Sequence, residues 1–127
     1  MRNRRRHSRI MEEHAIIDMP TFTQLKEQMG ADFIVELIDT YNVETQGLID
    51  QLDQALHAGE AASFGRCAHS IKSSSASFGA LAFSQLAREL ELMGKANDLT
   101  GASQILERLS ADFLLVKRSL EELKNES

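Results

Sequence analysis

The sequence predicts an all-α protein: an antiparallel, up-down-up-down four-helix bundle with a short N-terminal covering helix. Three observations carry this expectation. Four long segments place apolar residues at steps of three and four, the signature of a helix with one buried face. The junctions between them are short and marked by glycine or Asn-Asp, so neighbouring helices should run antiparallel. One proline and no tryptophan in 127 residues argue against a many-turned β-sandwich.

The elements follow in order. A short helix enters at Asp18-Met19-Pro20-Thr21, with Thr21 as the expected cap, and runs to about Met29 before Gly30 stops it. The second segment, about 31–58, carries Ile34, Leu37, Ile38, Tyr41, Leu48, Ile49, Leu52 and Leu56 on one face. At 1.5 Å per residue it is about 40 Å long. Gly47 lies inside it, at a cost of ~1 kcal/mol against alanine, and Gly59 ends it. A third helix spans about 60–77, and Gly79 marks the break after it. The fourth, about 80–96, has Phe83, Leu86, Leu90 and Met93 at helical steps, then a turn at Asn97-Asp98. The fifth, about 99–124, presents Ala102, Ile105, Leu106, Leu109, Phe113, Val116, Leu120 and Leu123.

Composition narrows the possible functions. A chain of this length buries roughly two thirds of its surface on folding, enough for one self-supporting core. The single cysteine, Cys67, has no internal partner, and no CxxC or Cys/His cluster is spaced for zinc. A reducing, cytoplasmic setting is expected. The net charge is −5, yet Arg2, Arg4, Arg5, Arg6 and Arg9 crowd the first nine positions, which hold no acid. The remainder carries nine basic against 19 acidic side chains, a net of −10. So acidic a body is a poor platform for nucleic acid. Residues 1–15 read as a disordered basic tail and 16–127 as one domain. Ile10-Met11-Glu12-Glu13-His14 is no signal-peptide core, and no stretch approaches the ~20 apolar residues of a membrane span. Neither nucleic acid nor membrane is expected as a partner, and a bundle with its own core is expected to be a monomer.

The third helix has an unusual outer face. With His69 at zero and ~100° per residue, Phe64, Cys67, Ile71 and Phe78 fall between about 160° and 220° and form the expected buried stripe. His69 points the opposite way. Arg66 lies near +60°, Lys72 near −60° and Ser73 near +40°, while Ala62, Gly65 and Ala76 fall within about 40° of His69. The imidazole therefore stands on small side chains flanked by two cations. An exposed imidazole is substantially neutral near neutral pH and is a competent nucleophile. Small neighbours admit another protein's active site, and a nearby lysine can neutralise an arriving anion. This points to a histidine phosphorylated by docking into a partner, although a lone surface histidine can also be idle.

The run Ala68-His69-Ser70-Ile71-Lys72-Ser73-Ser74-Ser75-Ala76-Ser77-Phe78-Gly79-Ala80 resembles the signature of histidine-containing phosphotransfer (HPt) domains. In that family the pattern reads A-H-x-[LI]-K-G-[SA]-[SA]-x-x-x-G-A. Asp18-Met19-Pro20 resembles the family's entry segment. Residues 52–60 resemble the end of its long helix, and Leu86-Ala87-Arg88-Glu89-Leu90-Glu91 resembles the helix after the phosphoacceptor. The likeness covers about residues 16–123. It implies a phosphoryl carrier of two-component phosphorelays, exchanging phosphate between His69 and the aspartate of a response-regulator receiver domain, with a hybrid or sensor histidine kinase upstream. It further implies that His69 is modified on Nε2, that Lys72 assists electrostatically, and that Glu91 hydrogen-bonds Nδ1. Lys95 falls near a basic position of the family. Ser73 departs from the pattern, standing where glycine is usual. Arg66, Ser73, Ala76, Gly65 and Ala62 are the expected docking surface. No cofactor is expected on this chain, Mg²⁺ belonging to the receiver.

Other readings stay open. The chain could be the phosphoacceptor module of a chemotaxis-type kinase, against which the short segment after Lys124 weighs, or a non-catalytic helical adaptor. His57 and Glu60 lie three apart, but no third metal ligand is spaced to join them. Ser73-Ser74-Ser75 lacks the strained turn and base of a hydrolase. With no GxxxxGK[ST] loop, no intrinsic kinase activity is expected.

Overall fold

The structure, a computed structural model, describes residues 16–126; the expected basic tail over residues 1–15 lies outside the described residues. The architecture is an all-α bundle of α1 (Met19–Met29), α2 (Ala31–Ala58), α3 (Ala61–Phe78), α4 (Leu81–Lys95) and α5 (Ala102–Asn125). Among the described residues there is no strand, and no helix is long and apolar enough to cross a membrane.

Most helix ends have a local cause. The N-cap of α1 is Asp18, not Thr21: the Asp18 carboxylate accepts the Thr21 backbone N–H at 3.2 Å and also the Thr21 hydroxyl. Thr21 sits inside the first turn, where its own side chain cannot serve the orphan amides. Pro20 is tolerated there because its missing N–H has no intrahelical acceptor to lose. The α4–α5 junction is longer than Asn97-Asp98. Asp98 Oδ1 accepts the Thr100 N–H at 3.1 Å, and Gly101 takes a φ of 80°, so α5 begins at Ala102 rather than near Leu99.

Most of the core comes from the apolar faces read from the sequence, while Leu37, Leu48, Leu56, Met93, Ile105 and Leu123 are only half-buried against it. Ile34, Ile38 and Leu52 of α2, Phe64 and Ile71 of α3, Leu90 of α4, and Leu109 and Leu120 of α5 are fully buried. Ile17 and Phe22 pack into this cluster from the chain start, with α1 lying against α2 and α3. Gly79 allows the close approach of the chain before α1 to the end of α3. Its φ of 89° closes the end of α3, and the Asp18 N–H donates to its carbonyl at 2.7 Å. A Cβ at this position would stand 2.6 Å from the Asp18 carbonyl oxygen.

Cross-helix contacts give the pair directions. Tyr41 faces Ser75 (2.7 Å) and Gln51 faces Cys67, so α2 and α3 run antiparallel. Asn42 bonds Glu121 and Asp39 pairs with Lys124, which sets α2 antiparallel to α5. The Tyr41 hydroxyl is buried, and burial pushes its pKa up to about 12 against the pull of its Ser75 and Thr45 hydrogen bonds. Cys67 is not in the buried stripe: it is half-buried at the α2–α3 edge, where its thiol reaches Gln51 Oε1 at 3.5 Å. Partial burial raises its pKa, with Arg66 opposing.

Candidate functional site

His69 stands on the outer side of α3, its side chain 58% exposed. The helix dictates this, because Phe64, Ala68 and Ile71 are buried on the face that packs into the bundle. The same helix carries Lys72 less than one turn further on, its side chain 29% exposed. Facing them from α4 is Glu91, whose side chain is 3% exposed.

A carboxylate buried to this degree must be compensated or neutralised. Glu91 is compensated on both oxygens. Oε1 accepts from Lys72 Nζ at 2.7 Å, and Oε2 lies 2.6 Å from His69 Nδ1. Lys95 Nζ approaches Oε2 at 3.5 Å. The Lys72 hydrogen bond is the largest influence on Glu91; desolvation opposes it, and His69 and the charges of Lys72 and Lys95 add to it. The Glu91 pKa is thereby lowered to about 2.

That ionisation state fixes the imidazole. An ionised carboxylate only accepts hydrogen bonds, so His69 Nδ1 carries the proton and donates to Glu91. In the neutral ring Nε2 then holds the free lone pair, on the side of the ring away from Glu91. The arrangement is an imidazole with its tautomer set by a buried acceptor, which leaves Nε2 able to act as a nucleophile. The anion also stabilises any positive charge the ring acquires on forming a bond at Nε2.

Two further features hold α4 at the distance this needs. Ser84 Oγ donates to the Lys72 carbonyl at 2.8 Å, pinning α4 to the turn that carries the lysine. Ser84, Ala87, Glu91 and Gly94 are all buried and recur at helical spacing, so they form the α4 face that meets α3. Beside His69 a shallow groove is lined by Ala62, Arg66, Ser70, Glu91, Gly94 and Lys95, among others.

The structure thus brings together His69, Lys72 and Glu91, as expected, and adds Lys95 at their margin. Of the expected docking residues, Ala62, Arg66 and Ser73 are exposed and Ala76 is half-buried. Arg66 donates to Ser63 Oγ at 3.1 Å and lines the groove beside His69. Gly65 is the exception. It is buried against Gly94, because α4 crosses α3 at that point. Ser73 points outward without a side-chain hydrogen bond to the triad, and its carbonyl accepts from Ser77. His57, the other described histidine on a helix face, has Nδ1 2.8 Å from the carbonyl of Asp53 one turn back.

Sequence reasoning did not find Ser84 or Gly94. The available signal was their place in the Ser84-Ala87-Glu91-Gly94 stripe, polar or side-chain-poor residues on a helix whose other inward positions are large and apolar.

Comparison with known proteins agrees with the geometry. The model of the family described as Hpt domain matches residues 36–126. The crystal structure of histidine-containing phosphotransfer protein B from Pseudomonas aeruginosa PAO1 is similar, with a TM-score of 0.83 and 26% identity. The match covers 88% of this chain and 96% of that one. No match is found among curated protein sequences.

Proposed function

Because the chain belongs to the Hpt domain family, whose work is histidine phosphotransfer in phosphorelays, we propose that His69 is the residue that carries the phosphoryl group. The single observation behind this is the 2.6 Å bond from His69 Nδ1 to a buried, ionised Glu91. It leaves Nε2 as an exposed nucleophile.

The transfer follows from that geometry. The Nε2 lone pair attacks the phosphorus of a phosphoaspartate on a response-regulator receiver domain. An N–P bond forms, the P–O bond to the aspartate breaks, and its electron pair leaves with the carboxylate. The ring becomes positively charged while Nδ1 keeps its proton, and Glu91 stabilises that cation at hydrogen-bond distance. In reverse, a receiver carboxylate attacks phosphorus and the N–P electrons return to Nε2. Lys72 stands on the same helix face and supplies positive charge near the incoming phosphoryl oxygens. Mg²⁺ held by the receiver's own acidic residues would neutralise further charge.

Ala62, Ser73 and Ala76 leave the approach to His69 unobstructed, and Arg66 and Lys95 give its rim positive charge, which suits the acidic pocket of a receiver. Histidine kinases and response regulators are the partners with which the family works. For this chain we place the protein in the cytoplasm as a monomeric carrier without kinase activity of its own.

The test is transfer from a phosphorylated receiver domain. Wild type should gain acid-labile, base-stable label, and His69→Gln should gain none while keeping its helical circular dichroism. Equal labelling of the two would overturn the assignment.

A further inference from the structure

The contact that sets the reach of Glu91 lies one helical turn away from it. Gly94 follows Glu91 by three residues on α4, and Gly65 precedes His69 by four on α3, so the two glycines meet directly beside the His69–Glu91 pair. An ideal Cβ on Gly94 would lie 2.6 Å from Gly65 Cα, 2.7 Å from Gly65 N and 2.8 Å from the Ala61 carbonyl oxygen. All three are backbone atoms, which cannot swing aside as a side chain would. The converse does not hold. A Cβ on Gly65 would meet Gly94 Cα at 3.5 Å, an ordinary contact.

We propose that Gly94 is a positioning residue for the phosphotransfer site: its lack of a side chain sets the α3–α4 separation at which buried Glu91 reaches both His69 Nδ1 and Lys72 Nζ. The requirement is one-sided, falling on Gly94 and not on Gly65. Ordinary contact begins near 3.4 Å, so an alanine at 94 forces the helices apart by about 0.8 Å. A shift of that size, carried one turn along α4, stretches the 2.6 Å bond of Glu91 to His69 toward or past the limit of a hydrogen bond. The ring then loses the acceptor that holds the proton on Nδ1, and Nε2 is protonated in part of the population.

This rests on His69 being the acceptor only for its effect on transfer. Its direct readout, the imidazole tautomer of the unphosphorylated protein, stands apart from that reading. The experiment is ¹⁵N-detected NMR of the His69 ring, alongside the rate of label transfer from a phosphorylated receiver domain. Wild type and Gly65→Ala should both show Nδ1 protonated and Nε2 bare. Gly94→Ala should show a mixed tautomer and a transfer rate at least tenfold lower. Gly47→Ala, placed mid-α2 with no atom within 4 Å of its new Cβ, is the control and should match wild type in both. A folded Gly94→Ala with the wild-type ring signature overturns the proposal, as does a Gly65→Ala that loses it. If Gly94→Ala does not fold in buffer, the same ring measurement is made on it in a stabilising osmolyte such as sucrose, where a wild-type ring signature overturns the proposal. A tautomer change with no labelling of any variant would uphold the positioning role and count against His69 as the acceptor.

Discussion

Replacing Glu91 by glutamine should destabilise the protein in a way that depends on pH. The amide keeps the shape of the side chain and removes its charge, leaving Lys72, His69 and Lys95 facing a neutral group. The carboxyl is lowered from 4.5 to about 2 in the fold. At 1.36 kcal/mol per unit that difference corresponds to roughly 3 kcal/mol. The Lys72 and His69 side chains are partly solvated, which screens the interaction, so ~1–3 kcal/mol is the expected loss. A lowered pKa contributes stability that is fully present above the unfolded value and is lost as pH falls through the folded one. Urea unfolding followed by circular dichroism should therefore give the full gap between wild type and Glu91→Gln at pH 5. The gap should narrow steadily below pH 4.5 and nearly close by pH 2. A gap of the same size at pH 5 and pH 3 would refute the argument, since it would make the loss one of packing and not of charge.

Other substitutions probe neighbouring links. Lys72→Ala removes the strongest partner of Glu91 and the cation beside His69, so receiver-to-protein transfer should slow by tenfold or more. Chemical denaturation of that variant should show a fold retained but weaker by ~1–3 kcal/mol. Ile71→Asp places a charge at a fully buried core position; far-ultraviolet circular dichroism should show an unfolded chain at neutral pH. Gly79→Ala combines a left-handed backbone with a 2.6 Å approach to the Asp18 carbonyl. It should cost roughly 2–4 kcal/mol in thermal or urea unfolding.

The helices were legible because burial on one face imprints a period on the sequence. Ile34-Ile38-Tyr41 and Leu106-Leu109-Phe113 are buried where their spacing places them. The misjudged points depended on contacts between elements. Thr21 and Asp18 are both plausible caps by type, and what separates them is which side chain reaches the Thr21 amide. The start of α5 turned on the Asp98–Thr100 hydrogen bond and the backbone of Gly101, which apolar periodicity does not register. At the site, a helical wheel correctly turned His69 away from the core. It could not show that α4 covers one flank of α3, so it left Gly65 in the open, and it put Cys67 inside when that residue falls at the α2–α3 edge. Glu91 entered through the family resemblance, because a glutamate among helical charges looks solvated until a neighbouring helix buries it. Gly94 was hidden for a related reason: the separation of two helices is a property of the pair, and neither strand of sequence records it alone.

The most direct measurement is where the phosphorus goes. The protein is labelled by a phosphorylated receiver domain, kept at alkaline pH, and examined by ³¹P and ¹⁵N NMR with site mapping by mass spectrometry. Phosphorus bonded to Nε2 of His69, with Nδ1 still protonated, is the predicted result. Phosphorus on Nδ1 of that ring, on His57, or on a hydroxyl or carboxylate elsewhere in the chain would contradict the account.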